Sequence, residues 1–562
     1  MSDDHIEMLV DDHLDELQNR RDWFFHGGPI YDPSAWQKGE DGQLKPELLE
    51  ALYIASGKVV AAGSLADVEK LVPPETVRID LKGKALLPGF NDAHIHLWKV
   101  GHLLTTMLDL RGVGSITELR PLLRERSDSL PPGAWLEARG YNEAHLAEGR
   151  HPTRHDMDAA VPDRPVWMQR TCAHIAVANS RALEMAEITR NTPDPPGGVI
   201  ERDAQGEPTG VLHETALGLI KDVVPPPTQE EYQQMILSAG AKLLEFGVTS
   251  ITDPAVMPDL IAAYQSLHDE ARLPVRCNLL AIRRPDGGTD TLPLPKKIET
   301  DWLSIRGVKF FADGGLSGAT AAMSKPYIST GKRGVLRFKT KELMELAGEA
   351  QLGGFQIATH VIGDEAIEQV LSVYSNLAES QQKHGLPPIR HRLEHVGLPT
   401  DGHLKTMAER GVIAVSQPIF IDELGDNFEH HLEDERLYRV YPYRSILNAK
   451  VDLAFSTDAP VVRSLNPLQG IAAAVTRRSA SGNIIGGDEA VTIAEALRAY
   501  TLGGTVASGE ELKKGGLQSG YLADLVILSG DPLTTPAEEL TSLKVSSTLI
   551  GGKLAYVDYA TL

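Results

Sequence analysis

Between residues 248 and 458, short apolar runs alternate with helical patterns, and several of the runs end on a chemically competent side chain. Val248-Thr249-Ser250-Ile251-Thr252 precedes a helical stretch from about Met257 to Glu270, and Val275-Arg276-Cys277-Asn278-Leu279-Leu280 follows it. This α/β texture predicts parallel strands joined by crossover helices, the plan of a distorted (β/α)8 TIM barrel. A chain of 562 residues is too long for one compact core, so a barrel of about 250 residues or more leaves room for further units.

In such a barrel, chemistry gathers at the C-terminal ends of the strands. The run Leu87-Pro88-Gly89-Phe90-Asn91-Asp92-Ala93-His94-Ile95-His96 closes on two histidines one residue apart. In an extended segment they share a face and can grip one cation. Gly307-Val308-Lys309-Phe310-Phe311-Ala312-Asp313-Gly314 buries a lysine in an apolar strand, where a bare ammonium needs a partner or a modification. Gln356-Ile357-Ala358-Thr359-His360 ends on a histidine, Arg390-His391-Arg392-Leu393-Glu394-His395 offers two, and Leu453-Ala454-Phe455-Ser456-Thr457-Asp458 ends on a carboxylate. Singly, each has a structural reading: a snorkelling lysine, core-bonded histidines, an aspartate capping a helix. In this order, each at a strand end, they point to a metal site.

Both chain ends carry a different texture. Ile6, Leu9, Val10, Leu14 and Leu17 stripe one face of a predicted helix, with Asp11, Asp12 and Asp15 opposite, so residues 1–21 form a helical arm that docks on its own body or on a second subunit. Trp23-Phe24-Phe25 before a Gly27-Gly28-Pro29 break, Leu52-Tyr53-Ile54 and Val59-Val60-Ala61 about a Ser56-Gly57 turn, and Val77 to Leu81 read as strands. Ala523 to Leu528, Val545 to Ile550 and Leu554 to Val557 after the Gly551-Gly552-Lys553 turn match them at the other end. Neither set buries a sheet alone. The expected organisation is a composite β-sandwich of 22–86 and 507–562, and a barrel of 87–506 with a lid insertion at about 131–225.

Lys plus Arg total 55 against 77 Asp plus Glu, a formal charge of −22, and there is no basic run, which argues against nucleic acid as a partner. The first residues lack the basic and apolar regions of a secretory signal, and no 18-residue apolar run occurs, so no membrane partner and a cytoplasmic location are expected. Cys172 and Cys277 are too few and too far apart in sequence for a disulfide scaffold.

Taken together, these motifs resemble the amidohydrolase superfamily, specifically the YtcJ-like branch of the amidohydrolase 3 family, which includes N-substituted formamide deformylase-like proteins. Besides the strand ends, the likeness rests on Pro152-Thr153-Arg154, Ala173-His174, Gly197-Gly198-Val199-Ile200-Glu201-Arg202-Asp203, His360-Val361-Ile362-Gly363-Asp364, Thr457-Asp458-Ala459-Pro460 and Gly520 to Leu528. The resemblance implies one or two divalent metal ions, zinc by family likeness. His94 and His96 would bind the more buried metal, Lys309 would bridge as N6-carboxylysine, His360 and His395 would bind the second, and Asp458 would complete the site. It also implies metal-activated water with Asp458 as general base and then acid. His391, on the face of His395 by the period-two rule, is a candidate for the layer behind the ligands.

The 131–225 insertion is long for a βα connection and suits a lid, whose candidates to face substrate are Trp98, Tyr141, His174 and Arg202. Without a Lys/Arg cluster, the expected substrate is a neutral small-molecule amide: N-acyl, N-formyl or cyclic. The alternatives are an ester, carbamate or phosphoester hydrolase, or a non-catalytic barrel scaffold. A homodimer or larger homo-oligomer is expected from the N-terminal stripe and the family resemblance.

Overall fold

The computed structural model describes residues 20–39, 42–170, 175–195, 198–285, 288, 290–385 and 387–561. The N-terminal stripe from Ile6 to Leu17, as well as Cys172 and His174, lies outside them. The chain divides into two compact units, residues 1–97 with 239–562, and residues 98–238.

The first unit contains the barrel. Eight parallel strands follow one another in sequence order: β1 (Phe90–Asp92), β2 (Val248–Val256), β3 (Arg276–Ile282), β4 (Leu303–Phe311), β5 (Gln356–Val361), β6 (Arg392–His395), β7 (Ile413–Ser416) and β8 (Leu453–Phe455). β3 is buried along its whole length, as a strand covered on both faces must be. The crossover after β2 is a helix at Pro258–Asp269, with Pro258 opening its first turn, where a missing N–H costs nothing. No ladder pairs β8 with β1, and the gap is bridged by single bonds instead. The Ala93 amide donates to the Phe455 carbonyl at 3.3 Å, Asp458 N–H to His94 O at 2.7 Å, and His96 N–H to Ala459 O at 3.0 Å. The buried Asp92 carboxylate adds the Thr457 hydroxyl at 2.6 Å and the Thr457 amide at 3.1 Å. The side chains that end β1 and β8 are therefore held together across the seam.

The two chain ends build one continuous sheet. Ala85–Pro88 pairs antiparallel with Leu525–Leu528, extending a path that runs from Lys553–Val557 at one edge to Lys58–Gly63 at the other. The sheet curls until that second edge meets the approach to Leu525, with Val59 N–H to Tyr521 O at 2.8 Å and Ala523 N–H to Gly57 O at 2.9 Å. Trp23, Phe25, Leu52, Ile54, Leu525 and Leu549 fill the interior. The expected break at Gly27-Gly28-Pro29 is instead a bulge inside a strand running Trp23–Tyr31, because the left-handed Gly27 (φ 77°) shifts the register without ending the pairing.

The second unit begins earlier and ends later than the 131–225 insertion expected from the sequence. It holds a six-stranded sheet in which Leu108–Asp109, Leu136–Tyr141 and Val166–Arg170 run parallel, continued by the antiparallel strands Ile175–Ala178, Pro208–Glu214 and Gly198–Arg202. The last two form the hairpin expected around Gln205-Gly206. Among the described residues, no helix is long and apolar enough to cross a membrane.

Candidate metal centre

Four histidines and one aspartate meet at the C-terminal end of the barrel. His94 Nε2 lies 3.4 Å and His96 Nε2 3.5 Å from Asp458 Oδ1, and His395 Nδ1 lies 4.0 Å from Asp458 Oδ2. The His395 ring sits between those of His94 and His360, at centroid distances of 5.0 and 4.4 Å. Ligand atoms of His94, His395 and Asp458 all lie within 4.8 Å of one another, the only such group among the described residues. Lys309 is fully buried in β4, with Nζ 5.0 Å from the Phe311 ring centroid.

Each of three rings is held by a contact from one nitrogen. His94 Nδ1 contacts the Glu394 carboxylate, His395 Nδ1 lies 2.8 Å from Gln417 Oε1, and His360 Nε2 lies 3.1 Å from the Gly314 carbonyl. Each partner is an acceptor, so the contacting nitrogen carries the proton and the other nitrogen of the ring keeps a lone pair. Burial, reinforced by Lys309, lowers His94 to about 4 and His360 to about 3, and it drives His395 well below the ordinary value. The imidazoles are therefore neutral at pH 7, the form that ligates. With His94 and His96 Nε2 directed at one carboxylate oxygen and two further imidazoles beside them, the donor set fits a divalent cation.

Backbone conformation marks the same residues. His395 (φ 75°), Val396 (φ 55°) and Asp458 (φ 58°) are all left-handed, a conformation that costs non-glycine residues on the order of 1–3 kcal/mol and gathers at functional sites. At His395 it has a directional effect. Arg392 and Glu394, on the regular part of β6, point toward β1, and alternation would turn the next side chain away. The left-handed turn brings the His395 ring back to the site.

Three further side chains that the strand-end reading did not single out belong to this region. Glu394 is fully buried, gripped by Arg392 at 2.6 Å (Nε) and 3.0 Å (Nη2). Asp253, on β2, has Oδ1 4.0 Å from His96 Nδ1 and accepts the Tyr264 hydroxyl at 2.6 Å. Asp313 lies 3.5 Å from His360 Nε2, and burial lifts its carboxyl to about 7 although the Gly363, Ala322 and Ile362 amides donate to it. Glu394 and Asp313 stand inside motifs visible in the sequence, and Asp253 follows directly on the run Val248 to Thr252.

The remaining candidates have partners of their own. His391 precedes β6 at the N-terminal end of the barrel, with Nε2 3.0 Å from Gln351 Oε1 and Nδ1 accepting the Ile357 amide at 3.2 Å, so it does not back the ligands as expected. In the second unit, Tyr141 is buried with its hydroxyl 3.2 Å from His151 Nδ1. Arg202 is committed to its own loop, pairing with Asp194 at 2.8 Å and donating to the carbonyls of Ile200 and Thr192. Trp98 packs on His102 and edge-on against Tyr232.

Comparison with known proteins places this geometry. The chain is 33% identical over 545 residues to "Putative amidohydrolase YtcJ" of Bacillus subtilis (strain 168), covering 95% of this chain and 99% of that one. It is 28% identical to the N-substituted formamide deformylase of Arthrobacter pascens, over 90% of this chain and 95% of that protein. The crystal structure of an uncharacterized metal-dependent hydrolase from Pyrococcus horikoshii OT3 superposes with a TM-score of 0.76 at 29% identity, covering 92% of this chain and 99% of that one. The amidohydrolase family model Amidohydro_3 matches residues 78–556, and the chain belongs to that family.

Proposed function

We propose that this chain is a metal-dependent hydrolase of a non-peptide C–N bond in a neutral N-acyl, N-formyl or cyclic amide. The observation that carries the reading is the convergence of His94 Nε2 and His96 Nε2 on Asp458 Oδ1 at 3.4 and 3.5 Å, inside a buried site at the barrel's strand ends. His94, His96, Lys309, His360, His395 and Asp458 would hold one or two divalent ions, zinc being the ion that nitrogen-rich sets of this kind suit best. A metal held there supplies water activated for attack at neutral pH and polarises the substrate carbonyl. Lys309 serves such a site as N6-carboxylysine, because an anion at that buried position pairs with cations where an ammonium would repel them.

Asp458 takes the proton from the attacking water and returns it to the leaving nitrogen. Its place supports that role: Oδ1 faces two imidazoles and Oδ2 a third, on a backbone fixed by the Asp458 N–H bond to His94 O at 2.7 Å. Phe420 stacks parallel to His395 at 6.2 Å and Phe311 lies against His360 at 5.5 Å, apolar neighbours that suit an uncharged acyl group. The formamide deformylase relative supports the same bond class.

A panel of N-acyl amines, N-formyl amines and cyclic amides, run with added zinc beside matched esters and carbamates, tests the proposal. Turnover of at least one amide class that vanishes in Asp458→Asn is expected. Turnover of esters alone overturns the C–N assignment, and turnover unaffected by the substitution overturns the role of Asp458.

A further inference from the structure

Glu394 has no counterpart among the metal-ligand candidates, yet it is the carboxylate nearest to His94 on the side away from Asp458. Both Glu394 and Arg392 are completely buried. The guanidinium grips Oε1 through Nε at 2.6 Å and Oε2 through Nη2 at 3.0 Å, and the same Nη2 donates to the Ala93 carbonyl at 2.6 Å. Arg392 thus links the β6 carboxylate to the backbone residue just before His94. Charge-assisted bidentate pairs are among the strongest and most directional hydrogen bonds. With two guanidinium bonds fixing its plane, Glu394 presents Oε2 to His94 Nδ1.

A carboxylate oxygen facing Nδ1 admits only one neutral tautomer. A lone pair on Nδ1 would confront the lone pairs of Oε2, so the proton resides on Nδ1 and the lone pair on Nε2. Nε2 is the atom 3.4 Å from Asp458 Oδ1. The two charge-assisted bonds from Arg392 favour the ionised form of Glu394, which can only accept from His94. His395 and His360 contact an amide oxygen and a backbone carbonyl instead, and the carboxylates behind His360 (Asp313, 3.5 Å) and His96 (Asp253, 4.0 Å) stand farther from the ring than Glu394 does from His94. Only a carboxylate adds negative charge behind the ring, which raises the basicity of the opposite nitrogen.

We infer that Glu394, clamped by Arg392, is the positioning residue that fixes the His94 tautomer and makes His94 the strongest imidazole donor of the centre. This inference rests on the proposed metal site, and the test separates the two. Metal-stripped full-length protein is titrated with Co2+, following the visible absorption of the bound ion, for wild type, Glu394→Gln, His94→Asn and the double variant. Bound Co2+ in the wild type supports the site itself, and its absence removes the site together with the role of Glu394. Given binding, Glu394→Gln is expected to weaken Co2+ affinity about 10–100-fold and to change the absorption of the complex, while the double variant binds no more weakly than His94→Asn alone. Equal affinity and an unchanged spectrum in Glu394→Gln, or further weakening in the double variant, overturns the positioning role while leaving the site standing.

A second measurement does not depend on metal. The imidazole N–H resonance of His94, assigned by 15N-histidine labelling, is expected on Nδ1 in the wild type and in Glu394→Asp. An Nε2–H tautomer in the wild type overturns the inference. Because Glu394→Asp keeps the charge, it is expected to bind Co2+ more tightly than Glu394→Gln, and the reverse order overturns it as well. If Glu394→Gln does not fold, this comparison passes to Glu394→Asp and the wild-type spectrum, which decide the matter alone.

Discussion

Arg276 and Asp524 form a buried bidentate pair that ties barrel strand β3 to the residue just before Leu525, the first residue of the C-terminal strand that joins both chain ends. Nε donates to Oδ2 at 2.6 Å and Nη2 to Oδ1 at 2.9 Å, with side-chain exposures of 3% and 5%. The guanidinium also donates to Asp301 O at 2.7 Å and lies 4.7 Å over the Trp302 ring. Arg276→Met keeps most of the volume and leaves a carboxylate buried without its cation, a change that costs about 3–5 kcal/mol. The lost ring contact adds about 0.5–1 kcal/mol. Asp524→Asn in the same background removes the stranded charge, while its side-chain oxygen still accepts the Gly551 amide, now at 2.8 Å. The double variant is therefore expected to recover at least about 2 kcal/mol of the loss. Urea unfolding followed by circular dichroism, at one fixed metal concentration, measures the cycle. If the two single effects simply add, the pair is not coupled and the argument fails.

Other perturbations have equally definite outcomes. Asp458→Asn should fold normally, since asparagine tolerates the left-handed backbone there, and lose about 10²- to 10⁴-fold in turnover, read by steady-state kinetics. Burial opposes ionisation of Asp156, but Arg150 and Thr153 prevail and lower its carboxyl from 3.8 to about 2. A depressed folded pKa gives stability that is complete above the unfolded value and lost as pH falls toward 2. Asp156→Asn should accordingly flatten the acid limb of a pH–stability curve for the 98–238 unit, and an unchanged curve refutes the assignment. Gly101→Ala would place a Cβ 2.0 Å from the Met235 carbonyl oxygen. Because that neighbour is backbone, overpacking should cost about 1–3 kcal/mol, seen as a lowered thermal midpoint.

The barrel was legible because its strands are apolar runs closed by distinctive side chains. The helix expected from about Met257 to Glu270 forms at Pro258–Asp269, and β2 begins at Val248 as read. The six strand-end candidates could be named for the same reason, since few residue types can ligate a metal, and the fold groups His94, His395 and Asp458 among them. The supports behind them were hidden by conformation. Strict alternation makes His391 a neighbour of His395 and turns Glu394 away, yet the positive φ at His395 reverses both expectations. No residue pattern announces a left-handed histidine. Gln417, 22 residues from His395 in sequence, approaches it only because β7 lies beside β6. The pairing of Arg202 with Asp194, eight residues earlier, was likewise not announced by the sequence.

Elemental analysis of the purified chain beside a His94→Asn/His96→Asn variant tests the central claim most directly. One or two equivalents of divalent metal, zinc foremost, are expected in the wild type after equilibration with zinc and dialysis, and a clear loss in the variant with its circular dichroism unchanged. A wild-type chain that folds and retains no metal, or a variant that retains as much as the wild type, contradicts that claim.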